Sequence, residues 1–212
     1  MYERWILPYL LDFACGIRPV RLQRQKIVPL ARGRVLEIGI GTGLNLPHYV
    51  PGQIDSLQGL DPGVSMHRLA QKRLRAIGLS AELIPLSAES IPMPGASFDT
   101  VVCTYTLCTI PDAAGALSEM RRVLKPDGRL LFCEHGRAPD PGVATWQARL
   151  NKLWSPIAGG CRLDRNIPDL LDDAGFRAES LEQSLIHISR CPRYALCCVV
   201  SSPTQSQSPT PS

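Results

Sequence analysis

Long apolar runs are missing from this chain. Nothing in it approaches the ~20 consecutive apolar residues of a membrane-spanning helix, and the run Trp5–Leu11 is interrupted by Pro8 and ended by Asp12. With Glu3 and Arg4 directly after Met1, the first residues do not read as a secretory signal. Close cysteine pairs of the C-x-x-C type are missing as well. Cys15, Cys103, Cys108, Cys133, Cys161, Cys191, Cys197 and Cys198 are scattered, so neither a disulfide scaffold nor a metal site of short ligand spacing is expected. Several sit in apolar runs such as Val101-Val102-Cys103 and Leu131-Phe132-Cys133, where a thiol behaves as a small hydrophobe. The expectation is a reduced, cytoplasmic protein without a metal. Ser201–Ser212 holds only Ser, Pro, Thr and Gln; with no apolar surface to bury, it is expected to be a disordered tail.

Net charge is also small, +4 over 212 residues, with 20% charged and 44% hydrophobic residues. That profile fits one globular domain able to bury its own core. The charge is uneven, however. Residues 1–34 carry seven basic groups (Arg4, Arg18, Arg21, Arg24, Lys26, Arg32, Arg34) against Glu3 and Asp12, leaving sixteen basic and seventeen acidic groups for the rest. The body, residues 33–200, is near neutral, and the excess belongs to a helical leader, residues 1–32. Trp5, Ile6, Tyr9, Leu10 and Phe13 recur there at helical spacing. Such a segment reads as a lid with solvated arginines, or as a peripheral contact of residues 1–30 with an anionic membrane. No aromatic-and-basic strip lines the body, and no N/D-P-P-Y/F motif is present. Nucleic acid is therefore not an expected partner.

Within the body, short apolar runs alternate with amphipathic stretches, the pattern of a doubly wound α/β sheet. Strands are expected at 34–38, 56–60, 81–86, 100–103, 129–134, 177–185 and 194–200. Met66, Leu69, Ala70, Leu74 and Ile77 mark one helical face. Ala116, Leu117, Met120, Val123 and Leu124 mark a second, and Ile167, Leu170, Leu171 and Ala174 a third. The last two strands have no room for a crossover helix and must pair antiparallel. The prediction is a Rossmann-like α/β sheet of about seven strands, five parallel and a C-terminal antiparallel hairpin.

The chemistry concentrates after the first strand. Val35-Leu36-Glu37-Ile38-Gly39-Ile40-Gly41-Thr42-Gly43 places three glycines where a ligand meets the strand's carboxyl end, and a helix is expected to follow, with His48 at its end. A dinucleotide fingerprint needs a glycine at position 44, which is Leu44. Asp61, ending the second strand, can accept both hydroxyls of a ribose. The ligand is then adenosine-like with a cationic or zwitterionic remainder, which S-adenosylmethionine (SAM) fits. A glycine turn that binds nothing is the alternative.

From Arg34 to Val200 the sequence resembles the class I SAM-dependent methyltransferases. The resemblance implies that Glu37, Gly39, Gly41 and Gly43 wrap the methionyl part of SAM, that Asp61 holds the ribose, and that Met66, beyond Pro62, flanks the adenine. Leu86-Ser87-Ala88-Glu89-Ser90-Ile91-Pro92 stands where the family has G-D-A-E-x-L-P, with Ser87 replacing the usual acid. Ser97-Phe98-Asp99-Thr100-Val101-Val102 matches the fourth strand; Cys103 and Thr104 follow it and join the expected cofactor residues. Thr104-Tyr105-Thr106-Leu107-Cys108, Cys133-Glu134-His135 and Gly160-Cys161-Arg162-Leu163-Asp164-Arg165 are similar to the methyltransferases that act on alkyl thiols. They are similar, more loosely, to those of quinone biosynthesis and to bacterial phospholipid N-methyltransferases.

Methyl transfer from a sulfonium needs alignment and exclusion of water, and a thiol or phenol acceptor must also lose a proton. His135 is the candidate base or substrate orienter, with Glu134 fixing its tautomer or lining the pocket. A hydrogen-bonded loop histidine is the alternative. His48, His67 and His187 read as structural or solvated; Trp146 and Trp154 stand as walls of an apolar pocket, or as ordinary packing. The expected function is methyl transfer from SAM to a small lipophilic thiol, phenol/quinol or amine. Alternatives are N-methylation of a phospholipid headgroup at a membrane surface, and a SAM-binding regulatory protein without catalysis.

Overall fold

The computed structural model describes the backbone of residues 1–188 and 191–201, and the side chains through Arg177 apart from Glu3. Three short helices open the chain: α1 (Tyr2–Trp5), α2 (Leu7–Gly16) and α3 (Arg18–Ile27). Pro8 and Pro19 each sit in the first turn of their helix, where the missing N–H is no loss. The leader therefore folds back in pieces and is not one rod.

The body follows as β1 (Gly33–Ile38), β2 (Ile54–Leu60), α4 (Val64–Ile77), β3 (Glu82–Ile84), β4 (Phe98–Thr104) and α5 (Ala113–Val123). It continues with β5 (Leu124–Gly136), α6 (Pro141–Ile157), α7 (Ile167–Asp173), β6 (Arg177–Ile188) and β7 (Cys191–Ser201). The strand order is β3-β2-β1-β4-β5-β7-β6. The first five run parallel, and the backbones of β6 and β7 pair antiparallel beyond β5. The expected Rossmann-like α/β architecture with a parallel five-stranded body is thus present. Of the predicted tail, Ser201 ends β7 and the remainder lies outside the described residues, as do the side chains of His187, Cys191, Cys197 and Cys198.

Strand alternation builds two cores, one on each face of the sheet. Leu36, Val101, Cys103, Leu130 and Phe132 point to one side, against Leu117 and Met120 of α5 and Ile167 and Leu171 of α7. Their neighbours Val35, Val102, Leu131 and Cys133 point to the other, against Ala70 and Leu74 of α4 and Ile27 of α3. Each fully buried Leu, Phe or Met contributes about 1.5–3 kcal/mol. Helix ends are fixed locally. The Asp112 carboxylate accepts from Gly115 N–H at 2.9 Å and starts α5, Asp140 accepts from Val143 N–H at 2.9 Å and starts α6, and Gly78 at φ +65° stops α4.

One expected element does not form. No α-helix follows the glycine turn: Leu46–His48 and Pro51–Gln53 are single 3₁₀ turns. Pro47 and Pro51 lack the N–H groups a helix would use and restrict the residues before them. A nucleotide-binding turn usually aims a helix N-terminus at its ligand, but this one has no such dipole to offer.

Candidate active site

The carboxyl ends of β1, β2, β4 and β5 meet around a cavity of about 370 Å³, within the range of small-molecule sites. Gly39, Gly41 and Gly43 all have positive φ (+67°, +52° and +82°), but they do different things. A Cβ on Gly41 would point at Asp61 Oδ2 and Met66 Sδ, 3.7 Å from each, and so into the cavity. One on Gly43 would strike Ala70 Cα at 3.0 Å, so this glycine seats the turn against α4. The Asp61 carboxylate spans the turn, accepting from Gly41 N–H at 2.9 Å and Gly63 N–H at 2.7 Å. Burial pushes its pKa up, and those two bonds hold it down. His67 is buried, not solvated, with Nε2 3.1 Å from the Asp61 carbonyl.

Behind the turn lies a network that the sequence pattern did not reveal. Glu37 is fully buried, and its oxygens accept from Asn45 Nδ2 at 3.0 Å and Tyr49 Oη at 2.8 Å. Burial raises its carboxyl to about 7, against the Tyr49 bond and the Arg24 charge. Arg24 is equally unexpected. It comes from α3, is only 5% exposed, and donates to Asn45 Oδ1 at 2.8 Å and to Thr104 Oγ1. Its guanidinium lies 4.9 Å from the Tyr105 ring centroid. Arg24 Nε has no hydrogen-bond partner among the described residues. The leader's arginines are thus not all solvated: one is buried at the site, where an unpaired donor is costly unless a ligand meets it.

Of the residues expected at the cofactor, Glu37, Gly39, Gly41, Asp61, Pro62 and Met66 line the cavity, as do Ser87, Ala88 and Thr104. Gly43, Glu89 and Cys103 do not. Glu89 instead fixes the loop, accepting from Ser87 Oγ at 2.9 Å and from Asp112 N–H at 2.8 Å. Cys103 faces away into the core because strand alternation turns it there. Leu7, Leu11, Cys15 and Val20 of the leader reach the same cavity. Trp154 lines it too, whereas Trp146 is 63% exposed.

The far end is built from the leader, the loop after β4, the end of β5 and the loop after α6. His135, at the end of β5, lines the cavity, and its ring stacks on Tyr105 with centroids 6.4 Å apart. His135 Nε2 stands 3.2 Å from Cys161 Sγ. Glu134 points elsewhere: its Oε1 accepts from the N–H groups of Thr106 (a close contact) and Leu107 (2.7 Å). It holds the loop after β4 and does not line the cavity. Burial raises its carboxyl to about 7. Tyr105 in that loop has φ +52°, a strained conformation costing about 1–3 kcal/mol, and it is clasped between Arg24 and His135. Cys108 and Cys161 face the same space. The Cys161 thiol is held well below its ordinary value by hydrogen bonds from Cys108 and His135, and Cys108 is pushed up.

A turn open at Gly41, an acceptor carboxylate opposite it and a guanidinium whose Nε has no partner among the described residues fit an adenosyl amino acid such as SAM. The comparisons agree. Residues 36–132 match the methyltransferase domain family. A thiol S-methyltransferase, TMT1B of Rattus norvegicus, is 32% identical over 152 residues, covering 70% of this chain and 62% of that protein. A phosphatidylethanolamine N-methyltransferase of Cereibacter sphaeroides is 32% identical, covering 63% of this chain and 66% of that protein. The chain therefore spans about two thirds or less of the length of these relatives. A SAM-dependent methyltransferase structure from Thermotoga maritima, described as a possible histamine N-methyltransferase, superposes with TM-score 0.67 at 24% identity, covering 95% of this chain and 98% of that one. Residues 36–132 therefore carry a methyltransferase domain, and the chain as a whole is similar to SAM-dependent methyltransferases.

Proposed function

We propose that the chain transfers a methyl group from SAM to a small apolar acceptor, a thiol first, with phenols, quinols and amines behind it. The observation that carries the proposal is one continuous cavity, joining the Gly41–Asp61 cradle to an apolar chamber that ends at His135 and Cys161. Bound SAM supplies an electrophilic methyl on a sulfonium. The protein's own residues do the rest. Asp61 and the Gly39–Gly41 backbone receive the adenosyl end. Glu37 and Arg24, locked by Asn45, Tyr49 and Thr104, offer opposite charges to an amino-acid end. Leu7, Leu11 and Trp154 cover the chamber and exclude water. His135 is placed to take the acceptor's proton or to orient the acceptor, while Glu134 is a positioning residue for the Thr106–Leu107 backbone. A relative named as a thiol S-methyltransferase supports the first acceptor class.

Phospholipid headgroups are a second reading, favoured by one feature of the surface. Trp5, Tyr9 and Phe13 of the leader are 54%, 55% and 76% exposed, and Leu153 and Ile157 of α6 are 73% and 58% exposed. The Tyr2 hydroxyl donates to the Ile157 carbonyl at 2.7 Å, tying the leader to α6. No described helix is long and apolar enough to cross a membrane. The test is transfer of labelled methyl from SAM across apolar thiols, quinols, amines and phospholipid vesicles. Label on thiols is expected. Label on vesicles alone would favour the headgroup reading, and SAM binding with no labelled product would leave a regulatory protein.

A further inference from the structure

Three metal-ligating side chains converge at the chamber's end, far apart in sequence. The sulfurs of Cys108 and Cys161 and a ring nitrogen of His135 all lie within 4.8 Å of one another, and all three residues are buried. We infer that Cys108, His135 and Cys161 bind zinc, or a comparably borderline-soft divalent ion, with a fourth coordination position open to the cavity.

The donor set suits such an ion. Two thiolates and an imidazole are the ligands of three-residue catalytic zinc sites, which keep one position for water or substrate. With Zn–S near 2.3 Å and Zn–N near 2.0–2.1 Å, tetrahedral ligand atoms stand roughly 3.5–3.8 Å apart. Cys161 Sγ and His135 Nε2 stand 3.2 Å apart, and the whole set falls within 4.8 Å, so small side-chain adjustments reach that geometry.

The three segments are also firmly held. The loop bearing Cys108 is tied by Glu134 through the N–H groups of Thr106 and Leu107. Arg165 donates to the carbonyls of Leu107 at 3.0 Å and Ile110 at 2.8 Å. The loop bearing Cys161 is sewn to it directly, Arg162 N–H donating to the Cys108 carbonyl at 3.0 Å. Preorganised ligands lower the entropic cost of binding an ion. All three residues line the cavity, so an ion there has a side facing any ligand the cavity contains.

The consequence for chemistry rests on the methyl-transfer reading above; the metal site itself does not. An acceptor thiol that takes the fourth position is deprotonated by the metal, its proton leaving to solvent. Its sulfur lone pair forms the new S–CH₃ bond as the methyl–sulfonium bond breaks, with that electron pair staying on the leaving sulfur. Thiol and SAM give thioether, S-adenosylhomocysteine and one proton. In the loaded protein His135 is then a ligand, and the metal takes over the task of promoting proton loss.

The decisive experiment measures metal in the full chain, purified under reducing conditions without chelators, by elemental analysis. Replacement with Co²⁺ is followed by visible absorption, and SAM affinity is read separately by calorimetry. About one ion per chain is expected, with tetrahedral, thiolate-rich Co²⁺ bands. Cys161→Ser and His135→Ala should lose both while SAM binding stays within about twofold. Added Zn²⁺ should raise the melting temperature of wild type and not of Cys161→Ser. Metal-free protein that binds SAM but gives no Co²⁺ bands and no Zn²⁺-dependent melting shift would overturn the site, whether or not it transfers methyl. So would a Cys108–Cys161 disulfide accounting for both thiols. Bound metal with no methyl transfer to any acceptor would keep the site and remove the methyl-transfer reading instead.

Discussion

The two ends of the cavity are built in opposite ways. The cradle end comes from neighbours in sequence: the turn 39–43, and Asp61 at the end of the adjacent strand, joined by a single 2.9 Å bond from Gly41 N–H. The chamber end comes from the leader, the loop after β4, the end of β5 and the loop after α6, segments spread from Leu7 to Cys161. A site made of contiguous backbone is set by local torsion angles. A site made of distant side chains exists only once the sheet has brought them together. Arg24 belongs to both, since it comes from the leader and bonds to the network behind the glycine turn.

Breaking the cradle should have the largest effect on SAM binding. Gly41→Val puts a branched side chain at φ +52°, pointed at Asp61 and Met66. SAM affinity is expected to fall by more than about a hundredfold, as read by calorimetry, with metal content untouched. Retained SAM affinity would mean the ligand does not lie over this turn.

Breaking the chamber should separate the two ends. His135→Ala is expected to lower methyl transfer by about 10²–10⁴-fold with SAM affinity kept. Single-turnover kinetics checks this, and unchanged turnover would remove His135 from the chemistry.

A pH titration sharpens the comparison from the cradle side. The Glu37 carboxyl is raised to about 7, so below that pH it is protonated in the free protein. A ligand with a cationic amino group favours the ionised form. SAM affinity should therefore weaken as pH falls through 7, approaching about tenfold per pH unit, and flatten in Glu37→Gln. The stability of the free protein runs the other way. A carboxyl raised from 4.5 to about 7 stabilises the fold below 4.5, and that contribution is lost as pH rises toward 7. Melting curves of Glu134→Gln against wild type across this window should show a shallower loss.

The smallest effect on SAM binding belongs to the leader's outer face. Replacing Trp5, Tyr9 and Phe13 together by Ser should leave SAM affinity within about twofold, because these side chains point away from the cavity. Co-sedimentation with anionic vesicles should drop severalfold if this face docks on lipid. Equal pelleting would leave the face without that role.

Much of the architecture was legible in the sequence because its signals are local. Period-two runs such as Val101-Val102 and Leu130-Leu131 divide between the two cores by strand geometry alone. The Asp61 carboxylate could be placed because the strand before it ends at a fixed point of the sheet. The helix expected after Gly43 failed on Pro47 and Pro51, residues present in the sequence whose weight against a glycine-turn pattern was not evident. Cys103 was expected at the cofactor and faces the core, one residue of alternation away from the cavity-lining Thr104.

By itself, then, the sequence determined the parallel α/β body, the glycine turn and its carboxylate, because backbone periodicity and torsion limits act on adjacent residues. Only the tertiary structure decided that Arg24 is buried against Asn45 and Thr104, and that Cys108, His135 and Cys161 meet. Those contacts bridge 21 to 80 residues of chain in the first case. No short spacing encodes such a distance; packing of the leader and loops onto the sheet creates it.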